Sequence, residues 1–185
     1  MIFLTAAYSR MSGVNSQANK AFELLKANAK NDPAWEVFHC ALGDNAETPE
    51  INIAENSYSS SLLAILPSHL KSAPDSRYIG KEIIEVKTLD ALFGDLCKTA
   101  KNIYLKIDTQ GFESKVLMGA EKSLTHINTV QMEMLLVPMY SGEILFNEMC
   151  SLMGMKGCTL ITIENGFSDQ ISGQLLQVDG IFQRL

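Results

Sequence analysis

Two successive strand–helix–strand units occupy the second half of the chain, and they constrain the fold more than any other feature. Residues 103–107 form a short, apolar-leaning run typical of a buried strand, and residues 112–124 favour a helix. Apolar side chains then alternate along residues 130–134, and a second helix is predicted at 143–155 before a strand at 160–163. Consecutive units of this kind predict a parallel sheet with covering helices.

The remaining elements are shorter. The last two predicted strands, 160–163 and 175–182, are separated by a turn at 169–173, so we expect them to pair antiparallel. Further strands are predicted at 2–7, 35–42, 50–54 and 82–86, and further helices at 16–30, 62–72 and 89–97, the last one capped by Thr88. We expect one α/β domain over residues 1–185, with an atypical N-terminal segment at 1–20.

Charge and composition exclude several classes of function. Fifteen Lys and Arg stand against 21 Asp and Glu, which gives a net charge of −6. Nucleic-acid binding depends on clustered cations, so no nucleic-acid partner is expected. No apolar run approaches the roughly 18 residues that span a bilayer, so no membrane association is expected.

The residues that commonly hold metals or form disulfides are scattered. The four cysteines lack C-x-x-C spacing, which favours free thiols in a reducing compartment and therefore a cytoplasmic location. The three histidines have no partners at ligand spacing, so no metal site is expected. These histidines are His39, His69 and His126.

The run at residues 105–113 is the strongest candidate for chemistry. Asp108 ends a buried strand, Gly111 permits a sharp turn, and Glu113 lies in the first turn of the following helix. Ligands of open parallel sheets bind outside the carboxyl ends of strands, so Asp108 should face a cleft unless it is a solvated turn residue. Glu113 could serve catalysis or simply stabilise the helix start through the macrodipole.

Glu133 supplies a second carboxylate at the end of the next strand. It points away from the apolar face that Val130, Met132 and Met134 share, and a buried charge is costly unless it is paired or lines a cleft. Neighbouring strand ends should bring Asp108 and Glu133 together. Two converging carboxylates could act as a general base, bind a cation or hold a polar substrate. Alternatively, Glu133 pairs with Lys106 or lies beyond the edge of the sheet.

Two loops add candidate substrate contacts. Tyr140, in the loop at 138–142, could close over a substrate or pack on the surface. Ser59 belongs to a polar loop at 56–61 that offers hydroxyl groups to a ligand, with a plain solvated loop as the alternative.

Taken together, these segments resemble the FkbM-type methyltransferases. The runs that carry the resemblance are 41–44, 105–113, 116–120, 130–133, 138–140 and 174–182, and they span roughly residues 22–184. The resemblance implies a Rossmann-like class I methyltransferase sheet that is mostly parallel with an antiparallel C-terminal strand. It also implies methyl transfer from S-adenosylmethionine to a hydroxyl group of a small molecule or a glycan.

The resemblance assigns roles to individual residues. Asp108, Gln110, Gly111 and Glu113 match the strand-four motif of the family, and Glu133 matches its strand-five acid. Asp108 or Glu133 would be the catalytic base, with Glu113 assisting. Cofactor contacts would come from Asp108, Gln110 and Gly111, and the adenine would lie near Ala41 and Leu42.

The N-terminal part departs from the family pattern. Such enzymes open with a strand, an acidic residue and a glycine-rich turn, whereas here Gly13 is the only glycine before Gly43 and no acidic residue precedes Glu23. We therefore expect the first strands to be missing or replaced, as in a truncated or degenerate member. The alternative function is a catalytically inactive interaction module that forms a homodimer through an open sheet edge.

Overall fold

A five-stranded mixed sheet forms the centre of the protein. The computed structural model describes residues 2–7, 17–32, 35–97 and 100–184. Its strands are β1 (Ile2–Ala7), β2 (Ala41–Leu42), β3 (Glu50–Ala54), β4 (Tyr78–Ile83), β5 (Val86–Lys87), β6 (Ile103–Asp108), β7 (Thr129–Leu135), β8 (Thr159–Asn165) and β9 (Gln177–Gln183). Its helices are α1 (Gln17–Ala29), α2 (Pro67–Ser72), α3 (Leu89–Leu96), α4 (Glu113–Met118) and α5 (Phe146–Met155), with 3-10 turns at Pro74–Ser76 and Ser123–His126.

The central sheet has the order β1-β6-β7-β9-β8. β1, β6 and β7 are parallel, and β9 runs antiparallel to both of its neighbours, β7 and β8. The predicted antiparallel pairing of the last two strands is therefore confirmed, and β9 alone runs against the other strands of this sheet. The N-terminal strand β1 lies beside β6, with Ala7 opposite Asp108.

The apolar core lies against one face of this sheet. In β6, buried residues alternate with half-buried ones, so side chains two apart share a face. Leu105 and Ile107 are fully buried and pack with residues of α3, α4 and α5, including Leu117 and Met153. Tyr104, Lys106 and Asp108 are half-buried, so the apolar-leaning run predicted at 103–107 alternates between a buried and a half-buried face.

Several elements are shorter than predicted. The strand expected at 35–42 is limited to β2, and Trp35 is exposed. The helix expected at 112–124 ends at Met118, and the following Gly119 packs against the backbone of Gly43. A Cβ at Gly119 would lie only 1.9 Å from the Gly43 carbonyl oxygen, so glycine is required there.

Local signals explain other boundaries. α2 begins at Pro67 rather than at residue 62, since proline is favoured in the first turn of a helix. α3 begins where predicted, with the Thr88 hydroxyl accepting a hydrogen bond from the Ala91 amide. The strand expected at 82–86 is divided between β4, which pairs antiparallel with β3, and β5, which pairs parallel with β2.

Candidate active site at the ends of two parallel strands

Gln110 joins the two predicted carboxyl groups. Its Nε2 donates to Asp108 Oδ1 at 3.1 Å and to Glu133 Oε2 at 3.0 Å. Asp108 and Glu133 therefore lie close together, as expected, with Glu133 only 8% exposed, and their catalytic roles stay a prediction. Lys106 Nζ instead lies 3.9 Å from Asp108 Oδ2 and 3.7 Å from Asp179 Oδ2. Glu133 is thus held through the amide of Gln110, which the sequence did not suggest.

The turn that carries Gln110 has an unusual backbone. Gln110 has φ 54° and Gly111 has φ 91°, both in the left-handed region that side chains disfavour. A Cβ at Gly111 would also lie 3.0 Å from the Cβ of Tyr140. The Ser61 hydroxyl donates to the Gln110 carbonyl oxygen at 2.7 Å and helps to hold this conformation.

The buried side chain of Glu113 stabilises the same turn through hydrogen bonds. Its Oε1 accepts hydrogen bonds from the Thr109 amide at 2.8 Å, the Thr109 hydroxyl at 3.1 Å and the Gly111 amide at 3.3 Å. Burial raises the pKa of Glu113 to about 7, although these hydrogen bonds act in the opposite direction. Of the two roles that the sequence left open, this geometry favours stabilisation of the helix start, and a catalytic role stays a prediction.

Glu133 lies in an environment that favours its neutral form. It is buried, and burial raises its pKa well above the ordinary value, with nearby acidic groups adding to the shift. These acidic groups are Asp108, Glu113 and Asp179. Lys106 acts in the opposite direction and does not reverse the shift. Glu133 therefore tends to hold a proton, whereas the Asp108 side chain is 36% exposed.

Tyr140 lies inside the fold behind Gln110. Its hydroxyl donates to Gln110 Oε1 at 2.9 Å and lies 3.4 Å from the Ser59 carbonyl oxygen. The residue is 2% exposed, and burial raises the pKa of its phenol. The predicted surface packing of Tyr140 is therefore wrong. Its predicted substrate contact stays a prediction, with the hydroxyl engaged inside the protein.

The serine-rich loop is buried. Ser59 Oγ lies 2.9 Å from Ser76 Oγ and accepts from Asn56 Nδ2 at 3.2 Å, and Ser76 Oγ lies 3.1 Å from His69 Nε2. The solvated-loop interpretation is wrong, because four serines of this loop are buried. They are Ser57, Ser59, Ser60 and Ser61. The substrate contact predicted for Ser59 stays a prediction.

Comparison with known protein families identifies the family of the chain. The family model described as Methyltransferase FkbM domain matches residues 2–167. The chain belongs to the FkbM methyltransferase family. The match begins earlier than the resemblance seen in the sequence and includes β1. Among the curated proteins and the solved structures, no significant match was found.

In this FkbM domain, Ala41 and Leu42 form β2, one strand away from the acidic pair. β2 lies beside β1, and β1 ends next to Asp108. Ala41 is buried and Leu42 is half-buried. Their predicted contact with adenine stays a prediction.

An ion pair fixes the end of β2 against α4. Asp44 Oδ2 lies 2.8 Å from Lys115 Nζ, and this hydrogen bond is the main reason why the pKa of Asp44 is lowered. Sequence reasoning missed both this pair and the Tyr140–Gln110 bond. Each joins residues far apart in the chain, and no local spacing signals such a contact.

Within residues 2–7, 17–32, 35–97 and 100–184, no group of three or more His, Cys, Asp or Glu is arranged to hold a metal ion. None of the helices in these ranges has the length and apolar character needed to cross a bilayer.

Proposed function

We propose that this FkbM domain transfers a methyl group from S-adenosylmethionine to a hydroxyl oxygen of a small molecule or a glycan. Family membership supports methyl transfer. The observation that carries the proposal is the Asp108–Gln110–Glu133 cluster at the carboxyl ends of two parallel strands. In a Rossmann-like sheet, this edge is where ligands bind.

The chemistry of the acidic cluster fits the charged part of this cofactor. The methionine part of S-adenosylmethionine carries an ammonium and a sulfonium, and carboxyl oxygens suit both cations. Asp108, Gln110 and Gly111 would hold the methionine part, since they form the strand end and the turn at this edge of the sheet. Ala41 and Leu42 would contact the adenine. When bound, the cofactor supplies the methyl group as an electrophile.

Asp108 is the base that the geometry supports best. Methyl transfer to a hydroxyl group requires a group that accepts its proton. The Oδ1 of Asp108 takes the hydrogen bond from Gln110, whereas Oδ2 lies 3.9 Å from Lys106 Nζ, and the side chain as a whole is 36% exposed. Glu133 favours its protonated form, and Glu113 uses Oε1 to hold the turn. Glu133 would assist through the electrostatic environment of Asp108, and Glu113 would assist by holding the conformation of the turn.

Calorimetry on Asp108→Asn tests the role of Asp108 in holding the cofactor. Wild-type protein should release or absorb heat on titration with S-adenosylmethionine, and Asp108→Asn should bind it at least about tenfold more weakly, because the carboxylate facing the ammonium is lost. Asp95→Asn, on the last turn of α3, is a matched control and should bind as the wild type does. Absence of heat from the wild type at millimolar cofactor would contradict the proposal.

An inactive interaction module remains the second candidate. The sequence favours it because Gly13 is the only glycine before Gly43. In the part of the chain that the structure describes, β1 and β8 are the outer strands of the central sheet, and β2 lies beside β1. A second copy could pair with β8. Light scattering combined with cofactor titration separates the candidates, since a monomer that binds cofactor excludes the module and a dimer that does not bind it excludes the enzyme.

A cytoplasmic location is part of the proposal. All four cysteines are free thiols, as expected in a reducing compartment. They are Cys40, Cys97, Cys150 and Cys158. Burial raises the pKa of each of these thiols, which reduces their reactivity.

A further inference from the structure

The amide of Gln110 has two ends with opposite hydrogen-bonding character. Its NH₂ group donates and its oxygen accepts, so the orientation of the amide decides what Asp108 and Glu133 meet. The observed orientation places Nε2 against both carboxyl groups. The opposite orientation would place Oε1 against Asp108 Oδ1, which joins two acceptors.

Tyr140 provides a reason for the observed orientation. Its hydroxyl donates to Gln110 Oε1 at 2.9 Å, so the acceptor end of the amide is held away from the carboxyl groups. We infer that Tyr140 and Gln110 form an orienting pair, in which the tyrosine hydroxyl fixes the amide and the amide holds Asp108 and Glu133 together. The inference rests on the proposed function, in which both would be positioning residues rather than catalytic ones.

Both members of the pair are themselves fixed. The ring of Tyr140 packs edge-on against His69 with centroids 5.1 Å apart, and its amide donates to Glu143 Oε1 at 2.9 Å. The backbone of Gln110 is held by the Ser61 hydroxyl. The hydrogen bond between them therefore joins two anchored side chains, and little movement is left to the amide.

Because several charged groups surround Glu133, the orientation of the Gln110 amide affects the protonation of Asp108 and Glu133. Acidic groups approach Glu133 from three elements, namely β6, the start of α4 and β9, and Lys106 is the cation that opposes them. A donor between Asp108 and Glu133 stabilises their charged forms, so loss of that donor should favour protonation. The orienting pair would thus set the pH at which the acidic pair titrates.

Three variants separate this role from simple packing. Tyr140→Phe removes the hydroxyl that fixes the amide, and Gln110→Met removes the donor while keeping the length of the side chain. Tyr78→Phe is the control, because it removes the hydroxyl of a half-buried tyrosine that donates to the Leu63 carbonyl oxygen at 2.8 Å. The protein is labelled with carbon-13 at its side-chain carboxyl groups and titrated by NMR without cofactor.

The expected result is an upward shift of the apparent pKa values of the coupled Asp108–Glu133 pair. Tyr140→Phe should raise them by about 0.5–1 unit, which corresponds to the loss of one hydrogen bond, and Gln110→Met should raise them further. Tyr78→Phe should leave them as in the wild type.

Two results would overturn the inference. One is a titration of Tyr140→Phe that matches Tyr78→Phe, and the other is a Gln110→Met titration that matches the wild type. Circular dichroism checks that each variant folds, and Gln110→Met, which leaves Tyr140 in place, still decides the question if Tyr140→Phe does not fold. The titration needs no cofactor, so its outcome is independent of the calorimetry that tests the proposed function.

Discussion

Glu113 illustrates how one buried carboxyl group stabilises a turn at the residue scale. It accepts hydrogen bonds from three donors of the turn between β6 and α4, and two of these are backbone amides. A buried donor that loses its acceptor costs about 1–3 kcal/mol. The conformation of Gln110, with its positive φ, therefore depends on Glu113 as well as on Ser61.

Replacement of Glu113 should show this dependence. Glu113→Ala is expected to lower the free energy of unfolding by about 2–4 kcal/mol, because it leaves buried donors without an acceptor. Glu113→Gln keeps an acceptor oxygen in place and should cost less than about 1.5 kcal/mol. Urea unfolding measures both changes.

The control for these variants is an exposed glutamate. Glu121 forms an ion pair with Lys156 and its side chain is 65% exposed. Glu121→Ala should change the free energy of unfolding by less than about 0.5 kcal/mol. Equal losses from Glu113→Ala and Glu121→Ala would show that Glu113 does not support the turn.

The residue scale also shows what the sequence could predict about the site. The proximity of Asp108 and Glu133 could be predicted because an acid near the end of a strand is a local signal, and adjacent parallel strands bring such ends together. The sequence singled out Tyr140 as a candidate, but it could not predict that the side chain points into the protein. Its hydrogen bond to Gln110 joins residues 30 positions apart. Local spacing carries no information about which way a loop residue turns.

At the scale of elements, the junction between β2 and α4 depends on direct contact of two backbones. Gly119 follows the last residue of α4 and lies against the carbonyl group of Gly43, just after β2. The Asp44–Lys115 ion pair joins the same two elements. This contact lies where α4 ends, and the helical spacing of residues 112–124 could not reveal it, since Gly43 lies more than 70 residues away in the chain.

Alanine at Gly119 should break this junction. Its Cβ would lie 1.9 Å from a backbone oxygen that cannot move as a flexible side chain would, so we expect a loss of about 2–4 kcal/mol in the free energy of unfolding. Gly94→Ala within α3 is the matched control, because its Cβ would meet nothing within 4 Å. Alanine is favoured in helices, so Gly94→Ala should raise stability by about 0.5–1 kcal/mol. Thermal unfolding of the two variants should shift in opposite directions, and similar shifts would contradict the role of the junction.

At the scale of the whole molecule, the central sheet has two unlike faces. One carries the apolar core, and the other carries a polar chain in which the Tyr104 hydroxyl donates to Gln131 Oε1 at 2.6 Å and Gln131 Nε2 donates to Asp179 Oδ2 at 2.7 Å. The sequence predicted an α/β fold and the direction of the last strands. It could not predict that β1 lies beside β6, because that pairing joins segments about a hundred residues apart.

Buried titratable groups should give the whole protein an unusual pH dependence. The pKa of Glu113 is raised to about 7 and that of Glu133 is raised well above its ordinary value. The folded state thus keeps protons that the unfolded state releases above about pH 4.5, and stability falls as the pH rises through the folded pKa values. Burial lowers the pKa of His69 to about 4. His69 therefore makes the folded state less stable as the pH falls below about 6.5, which is the opposite of the effect of the two glutamates.

The contribution of Glu133 to the pH dependence of stability can be isolated by comparing the Glu133→Gln variant with the wild type. Glu133→Gln should be more stable than the wild type at pH 8 by about 1–3 kcal/mol, because the variant has no group at this position that ionises on unfolding, and the gain should shrink towards pH 5. His69 is present in both proteins, so its effect cancels. Urea unfolding between pH 5 and pH 8 measures the difference, and a constant difference across this range would contradict the prediction.

The hydrogen bonds from Glu113 to the turn after β6 also have a consequence for ligand binding. A loop that needs a ligand to define its shape loses conformational entropy on binding, and that loss weakens affinity. Here the turn after β6 is held by hydrogen bonds within the protein, so its ordering takes place during folding. A molecule that arrives at this edge of the sheet meets a preorganised surface, and the stability of the fold and the strength of binding are linked through the same carboxyl group.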